Sequence, residues 1–288
     1  MFDQGKGNAR SAGKLTMENT FTFNLHDIEL QGQYWTPESV KGVIVLIHGM
    51  GEHMLRYEKS VIPHLVDSGY AVVAMDLYGH GRSKGKRGHC PSYKSLLDAV
   101  DYTIAKAKEL FPQKEIYLYG HSMGGNIAIN YVLNQSHTLK GAIATSPLLS
   151  LAFSPPKWKM TFGKILLHIA PSLTLPSELD AKFITRDLNE VKRYEEDVLI
   201  HDRISPMYSF PMFEAGKQAI RKANELQIPM LVLHGTGDRI TDYQGSQDFC
   251  KNANNAQLEL FENGYHELHH DLCKEEFIKT IIKWLDNM

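Results

Sequence analysis

The chain has 288 residues, of which 43% are hydrophobic and 22% charged, and its 31 lysines and arginines nearly balance its 33 aspartates and glutamates. This composition is typical of a globular protein and excludes the disordered, collagen-like and coiled-coil classes. The near-neutral charge, without any run of basic residues, also argues against nucleic acid as a partner, because neutralising phosphates requires a basic patch.

The N-terminus and the cysteines indicate where the protein resides. Residues 1–16 are polar and glycine-rich and lack the apolar core of a signal peptide, so we interpret them as a disordered tail or an expression leader. Cys90, Cys250 and Cys273 form neither a disulfide framework nor a metal-ligand spacing, which favours a reducing compartment and no bound metal. No apolar run approaches the ~20 residues of a membrane span. We therefore expect a soluble, cytoplasmic protein whose folded part starts at about Met17.

Short apolar runs then alternate with helical patterns along the chain. Segments 21–26 and 29–36 alternate polar and apolar residues, which predicts an antiparallel hairpin at the edge of a sheet. Apolar runs predict buried parallel strands at 43–47, 71–75, 116–119, 142–145, 230–233 and 257–261. Helical periodicity occurs at 57–67, 92–110, 124–134, 217–226, 243–253 and 274–286. This alternation predicts an α/β fold, with a mainly parallel sheet and helices on both faces.

The interval 147–215 interrupts the alternation, since it contains seven prolines and no parallel-strand pattern. We predict that it is an inserted helical cap, or lid, and that residues 17–146 and 216–288 form the two parts of one core. Apolar residues in the middle of the interval recur at steps of three and four and so share one helical face. These residues are Trp158, Phe162, Ile165, Leu166 and Ile169.

This apolar face has two interpretations. It either packs onto the core or lines a tunnel for an acyl chain, for which Phe162 and Ile165 are our candidate contact residues. Lys157, Lys159 and Lys164 flank the face, and basic residues around an apolar stripe are typical of helices that dock on anionic lipid. Since a lid can line a tunnel inside and touch a bilayer outside, peripheral contact with a membrane surface is one of our hypotheses.

A candidate nucleophile lies in the segment Gly120–Gly124, which reads GHSMG and matches the G-x-S-x-G motif. The motif follows one predicted strand and precedes a predicted helix. In that context the serine sits on a tight turn and its oxygen is exposed at the carboxyl edge of the sheet. We therefore predict that Ser122 is a nucleophile and not part of an ordinary strand-to-helix turn.

A serine hydroxyl becomes nucleophilic only when a base takes its proton and an acid orients that base. In enzymes with a G-x-S-x-G serine the partners follow in the order Ser, Asp or Glu, His. Asp238 follows one later strand and His266 follows the next, so both emerge at the edge where Ser122 lies. We predict that Asp238 is the orienting acid and His266 the general base. The rivals that remain open are Asp242 for the acid and His269 and His270 for the base.

Backbone N–H groups must stabilise the negative oxygen of the tetrahedral intermediate. One donor is expected from Met123, directly after the serine. The second is expected from Met50, in the glycine-containing loop HGMG that follows the strand at 43–47.

Five segments together resemble the monoglyceride lipase/lysophospholipase group of α/β-hydrolases. They are HGMGEHMLRY (48–57), DLYGHGRS (76–83), GHSMGG (120–125), GTGDRITD (235–242) and ENGYHELHH (262–270). The resemblance extends over about 20–287 in the family's order. It implies an eight-stranded sheet, a cap over the active site, and hydrolysis of monoacylglycerols or lysophospholipids without a cofactor.

The resemblance also implies roles for individual residues. It places Ser122, Asp238 and His266 at the triad positions and Met50 and Met123 at the oxyanion positions. Glu52 and Arg56 match the pair that helps to bind the polar glycerol head, and Tyr194 resembles a cap tyrosine facing the same pocket. The alternative is that Glu52 and Arg56 only pair with each other and fix the loop.

These residues favour a serine carboxylester hydrolase that cleaves monoacylglycerols through an acyl-enzyme. The rival substrate is a lysophospholipid, whose phosphate would require several cations, whereas Glu52 beside Arg56 suits neutral hydroxyl groups better. A broader carboxylesterase or a peptidase of the same fold is a further alternative. A non-catalytic binding module of this fold is the remote one, because all three triad residues are present.

Overall fold

The computed structural model describes residues 19–288. The predicted leader, 1–16, and the predicted start at Met17 lie outside the described residues. Within the described range, no helix is both long enough and apolar enough to cross a membrane.

Eight strands form one sheet and two short ones form a separate ribbon. In chain order the strands are β1 (Thr20–Leu25), β2 (Ile28–Trp35), β3 (Gly42–Ile47), β4 (Tyr70–Met75), β5 (Glu115–His121), β6 (Gly141–Thr145), β7 (Leu175–Pro176), β8 (Arg203–Ile204), β9 (Met230–Gly235) and β10 (Ala256–Phe261). The sheet has the order β1-β2-β4-β3-β5-β6-β9-β10, in which β2 runs antiparallel to both neighbours and the other pairs are parallel. The predicted edge hairpin and mostly parallel sheet are confirmed.

Eight α-helices accompany these strands in the described residues. They are α1 (Val61–Asp67), α2 (Tyr93–Leu110), α3 (Met123–Asn134), α4 (Lys157–Ile169), α5 (Leu188–Glu196), α6 (Pro206–Arg221), α7 (Tyr243–Asn252) and α8 (Lys274–Asp286). The helix predicted at 217–226 corresponds to the end of α6, but its bounds were wrong: α6 begins eleven residues earlier, where Ser205 caps the first turn and Pro206 occupies the first helical position, and it ends at Arg221. Helix α6 therefore runs across the boundary at 215/216 that we predicted between cap and core, and the boundary itself stays a prediction.

The hydrophobic core lies on both faces of the sheet. Along β3, Val43, Val45 and Ile47 belong to the cluster that packs against α2, α3, α6 and α7, while Ile44 and Leu46 belong to the cluster that packs against α1 and α8. The alternation follows from the two-residue period of a strand. A strand covered by helices on both faces must therefore be apolar throughout, as β3 is.

A tight turn joins β5 to α3 and carries Ser122, whose φ is +54°. The neighbouring positions leave no room for side chains: a Cβ on Gly120 would lie 2.1 Å from the carbonyl oxygen of Gly124, and one on Gly124 would lie 2.2 Å from that of Ile47. The glycines of the motif are therefore required by close backbone approach. The turn projects Ser122 beyond the carboxyl ends of the parallel strands, where the loops after β3, β9 and β10 also lie.

Candidate active site

Ser122, His266 and Asp238 form a chain of hydrogen bonds at this edge of the sheet. Oγ of Ser122 lies 2.9 Å from Nε2 of His266, which belongs to the loop after β10. Nδ1 of His266 lies 2.6 Å from Oδ2 of Asp238, in the turn after β9. All three side chains are buried. The structure thus brings together the residues that we predicted as nucleophile, base and acid.

The rival residues have other partners. Asp242 caps α7, where its carboxylate accepts a backbone N–H of the first turn. His269 stacks on the ring of Tyr57 with 4.8 Å between the centroids, and His270 pairs with a carboxylate of the cap. The hydrogen-bond geometry therefore favours Asp238 over Asp242 as the acid and the predicted histidine as the base.

The pairing of Asp238 with His266 sets the charge of both groups. Burial alone would lower the pKa of His266, but the adjacent carboxylate more than offsets this and raises the pKa above the ordinary histidine value. Burial alone would raise the pKa of Asp238, yet the two imidazoles that contact it hold its pKa well below the usual range. The acid therefore stays ionised and makes the imidazole a stronger base.

The carboxylate of Asp238 is surrounded by donors. Its Oδ1 accepts from the N–H groups of Ile240 (2.8 Å) and Thr241 (3.1 Å), and its Oδ2 accepts from Oγ1 of Thr241 (2.9 Å) as well as from His266. A second imidazole, that of His234, lies 3.2 Å from the same Oδ2. Thr241 and His234 were not among the predicted site residues, although His234 precedes the acid by four residues near the end of a strand.

The loop after β3 lies against the nucleophile. A Cβ on Gly49 would lie 3.3 Å from Cβ of Ser122, and the N–H of Gly49 donates to Oε1 of Glu52 at 2.6 Å. In the described part of the chain, the N–H groups of Met50 and Met123 donate to no other protein atom. Both are therefore available as donors beside Ser122, which is what an oxyanion hole requires.

Two buried carboxylates share one guanidinium beside the nucleophile. Nε of Arg56 lies 3.3 Å from Oε2 of Glu52, and its NH2 group donates to Oε2 of Glu267. The ring of Tyr194 covers the guanidinium at 4.9 Å. Burial and the charge of Glu267 raise the pKa of Glu52 to about 7, although Arg56 and the hydroxyl of Tyr57 oppose the shift. The pair of Glu52 and Arg56 was predicted, but Glu267 was not, because its contact with Arg56 joins residues that are remote in sequence.

Helix α5 is held to the loops that carry these groups. Nε2 of His53 lies 2.9 Å from a carboxylate oxygen of Asp197, and the N–H of His201 donates to the carbonyl oxygen of Gly51 at 2.9 Å. On the other side, Arg186 contacts Asp271 through its Nε at 3.0 Å. The cap segment that carries Tyr194 is thus fixed relative to both the β3 loop and the loop of the candidate base.

A cavity of about 740 Å³ opens between the core and the cap, and Ser122 and His266 line it. Glu52, Met50 and Tyr194 contribute to its wall, whereas Arg56, which we expected beside Glu52 at the polar head of the substrate, is not part of that wall. The remaining wall is mostly apolar, with side chains from α4, α6 and the segment between β6 and α4. Its size is in the range of ligand pockets, about 300–1,000 Å³.

The apolar face of α4 divides between the cavity and the surface. Trp158, Phe162 and Leu166, at steps of four, line the cavity, whereas Ile165 lies on a neighbouring row, is half exposed and is not part of the cavity wall. The structure therefore does not place Ile165 where we expected an acyl contact. Only Leu166 of this face is buried, and it lines the cavity and belongs to neither core cluster, whereas Trp158, Phe162, Ile165 and Ile169 are all half exposed or more. The interpretation that this face packs onto the core is therefore not supported.

Comparison with known proteins gives consistent matches. The family model described as serine aminopeptidase, S33, matches residues 38–273. An abhydrolase domain-containing protein of Dictyostelium discoideum is 36% identical over 87% of this chain, which spans 27% of that relative's length. Human monoglyceride lipase is 30% identical, with 86% of this chain and 84% of the relative covered. The crystal structure of a Paleococcus ferrophilus monoacylglycerol lipase is 35% identical, with a TM-score of 0.80, and the match covers 94% of this chain and 98% of that one.

The shared guanidinium leads to a stability prediction. Replacing Arg56 by methionine leaves two buried carboxylates without their common cation, so we expect the free energy of unfolding to fall by about 3–5 kcal/mol. The loss should be larger at about pH 8 than at about pH 6, because the pKa of Glu52 is already raised and protonation at lower pH removes part of the unpaired charge. Urea denaturation at the two pH values measures both effects.

The matched control is Lys192→Met, which removes an exposed cation from a pair with Glu196 at 3.7 Å. We expect this substitution to change the free energy of unfolding by about 0.5 kcal/mol or less. Equal losses in the two variants would contradict the view that Arg56 holds the carboxylates together.

Proposed function

This chain belongs to the serine aminopeptidase S33 family of hydrolases, and we propose that it is a serine carboxylester hydrolase that cleaves monoacylglycerols to fatty acid and glycerol. The observation that supports this most directly is the series of hydrogen bonds from Ser122 through His266 to Asp238. Ser122 and His266 also line a mainly apolar cavity. The long acyl chain of such an ester matches the apolar wall of the cavity, and its small polar alcohol matches the part of the wall that Glu52 and Glu267 form. Two of the relatives described above are monoglyceride or monoacylglycerol lipases by name.

The proposed reaction has two halves. Oγ of Ser122 attacks the ester carbonyl carbon while Nε2 of His266 takes its proton, and Asp238 stabilises the imidazolium that forms. The N–H groups of Met50 and Met123 stabilise the oxyanion, each worth about 3–4 kcal/mol. The imidazolium then gives its proton to the leaving glycerol oxygen, which leaves an acyl-enzyme. A water molecule deprotonated by His266 attacks this ester, and the fatty acid leaves as the proton returns to Ser122.

The charges around the cavity support a neutral head group. The ionisable side chains of its wall, apart from histidine and tyrosine, are the carboxylates Glu52, Glu178, Asp180 and Glu267 and the cations Lys159 and Arg239. Lys159 already pairs with Glu178 at 2.7 Å. A phosphate in this cavity would meet more negative than positive charge, whereas hydroxyl groups can donate to the carboxylates. This favours a glycerol ester over a lysophospholipid.

The outer surface of α4 supports peripheral contact with a membrane. Ile165 and Ile169 are 51% and 72% exposed, and Lys164 next to Ile165 and Lys157 at the start of α4 are exposed as well. An exposed apolar stripe flanked by lysines is typical of a helix that lies in the interface of an anionic bilayer. We propose that the cap docks there, which would bring the cavity to its substrate.

Substrate choice tests the proposed function. We expect 1-monoacylglycerols to give a higher kcat/KM than lysophosphatidylcholines of the same acyl length, because the cavity offers hydroxyl acceptors and little positive charge. Within the preferred series, each added methylene that enters the apolar wall should raise kcat/KM by up to about fourfold, equivalent to ~0.8 kcal/mol. Initial rates over a chain-length series, with Ser122→Ala as the blank, measure this. Preference for the lysophospholipid would contradict the proposed substrate.

The identity of the acid is tested by a pair of isosteric substitutions. Asp238→Asn should lower kcat by about 10,000-fold, because the amide cannot hold His266 in the required tautomer or stabilise its cation. Asp242→Asn changes the rival carboxylate four residues away, which caps α7, and should leave kcat nearly unchanged. Both variants are assayed on the same ester. A large loss in the second variant, or a small one in the first, would show that the acid is misassigned.

Membrane docking is tested by removing apolar area from the surface of α4. The double variant Ile165→Ser/Ile169→Ser should bind vesicles of phosphatidylcholine and phosphatidylserine about tenfold more weakly or worse, since each isoleucine contributes about 1.5–3 kcal/mol when buried. Hydrolysis of a short soluble ester should not change, because Ile165 does not line the cavity. Leu272→Ser, which also removes an exposed apolar side chain, is the control and should bind vesicles normally. Equal binding by all proteins would exclude docking through α4.

A further inference from the structure

We propose that His234 is a positioning residue of the active site, which holds the carboxylate of Asp238 and extends the chain of hydrogen bonds to Ser246. The chain would then run from Ser122 through His266, Asp238 and His234 to Ser246. This inference rests on the proposed catalytic role of Ser122, and the experiment distinguishes its failure from failure of the proposed function.

The contacts of His234 involve both ring nitrogens. The side chain is fully buried near the end of β9. Its Nε2 lies 3.2 Å from Oδ2 of Asp238, and 3.3 Å from both the carbonyl oxygen and Oγ1 of Thr241. Its Nδ1 lies 2.8 Å from Oγ of Ser246, a buried residue of α7. No position is left for water between His234 and Asp238 at these distances.

These partners determine the tautomer. The carboxylate of Asp238 and the carbonyl oxygen of Thr241 can only accept, so the proton of a neutral imidazole must be on Nε2. Nδ1 then accepts, and the hydroxyl of Ser246 is its donor. The Nε2 proton then lies on the side of the ring that faces Asp238 and the carbonyl oxygen of Thr241, and the bond from Ser246 polarises the ring toward them.

Two imidazoles thus contact one carboxylate oxygen. His266 does so at 2.6 Å and His234 at 3.2 Å, while the backbone donors occupy the other oxygen. Oδ2 also accepts from Oγ1 of Thr241 at 2.9 Å, so His234 adds a third contact to this oxygen and restricts the plane of the carboxylate further. His234 also withdraws negative charge from the oxygen that stabilises the protonated His266. His234 therefore affects both the orientation and the basicity of the base through Asp238.

The position of His234 in the sheet argues for a role beyond packing. Met230 and Val232 precede it at the two-residue period of β9 and belong to the apolar cluster under α7, in which Phe249 is fully buried. An apolar side chain at position 234 would continue this apolar face and would bury no polar group. A buried imidazole is stabilised only when its nitrogens are paired, and here Nε2 is paired with Thr241 and contacts Asp238 while Nδ1 is paired with Ser246.

The proposal predicts a change in pH dependence. Without the donor at position 234, the carboxylate of Asp238 becomes more basic and stabilises the imidazolium of His266 more strongly, so the pKa of His266 rises. Neutral His266 is then available only at higher pH, so the acidic limb of the pH profile of kcat/KM moves to higher pH. The other ionisable groups near His266 are Glu52 and Glu267 from the loops, His121 from β5 and His269, and all are unchanged in the variants.

The test compares His234→Leu, His234→Gln and Ser246→Ala on a short soluble ester. Groups that orient a functional side chain change activity by about 10–100-fold when removed. His234→Leu should therefore lower kcat about tenfold or more, with little change in KM. The acidic limb of its pH profile should shift to higher pH. His234→Gln keeps an N–H donor near the Nε2 position and should recover most of the rate. Ser246→Ala should shift the limb in the same direction by a smaller amount.

The outcomes separate the hypotheses. If His234→Leu keeps the wild-type kcat and pH profile and loses only thermal stability, His234 is structural and the proposal is wrong. If that variant does not fold, Ser246→Ala decides, because an unchanged pH profile overturns the proposal and a shifted one supports it. If wild type hydrolyses no ester and Ser122 reacts with no fluorophosphonate, the proposed function itself has failed, before His234 is considered.

Discussion

The turn at Ser122 is the constraint on which the site depends. A non-glycine residue at a φ of +54° is strained, and such strain persists only when neighbouring contacts fix the backbone. Here the N–H of Ser122 donates to Thr145 at 2.9 Å, and its carbonyl oxygen accepts from Asn126 and Leu148 at 3.0 Å each. Strand β6, the segment after it and helix α3 therefore stabilise the two peptide groups that flank Ser122, and the close approach of Gly124 to the β3 loop fixes the candidate oxyanion donors beside them.

The carboxylates around this turn divide into two kinds. Asp238 has donors on both oxygens, so its charge is maintained in spite of burial and its pKa is lowered. Glu52 and Glu267 instead share one guanidinium, and the pKa of Glu52 is raised to about 7. One carboxylate is thus kept ionised to support the base. Glu52 and Glu267 form a polar part of the cavity wall that can accept hydrogen bonds from hydroxyl groups, which is the physical basis for expecting a neutral head group.

Much of this arrangement could be predicted from the sequence because its signals are local. The apolar run of β3 and the glycines around Ser122 follow from strand period and close backbone approach, and the positions of Asp238 and His266 after successive strands follow from the parallel sheet. The contact between Arg56 and Glu267 could not be predicted, since it joins residues 211 positions apart through side chains alone. Helical periodicity likewise placed Ile165 on an apolar face, but it does not distinguish the row that faces the cavity from the row that faces solvent.

Covalent labelling of the nucleophile tests the central claim most directly. The protein is incubated with a fluorophosphonate, digested, and mapped by mass spectrometry, because only a serine activated by a neighbouring base reacts readily with such a probe. The account predicts one adduct, on Ser122, that forms much more slowly in His266→Ala. Absence of an adduct in the folded protein, or an adduct on a different serine such as Ser146, would contradict it.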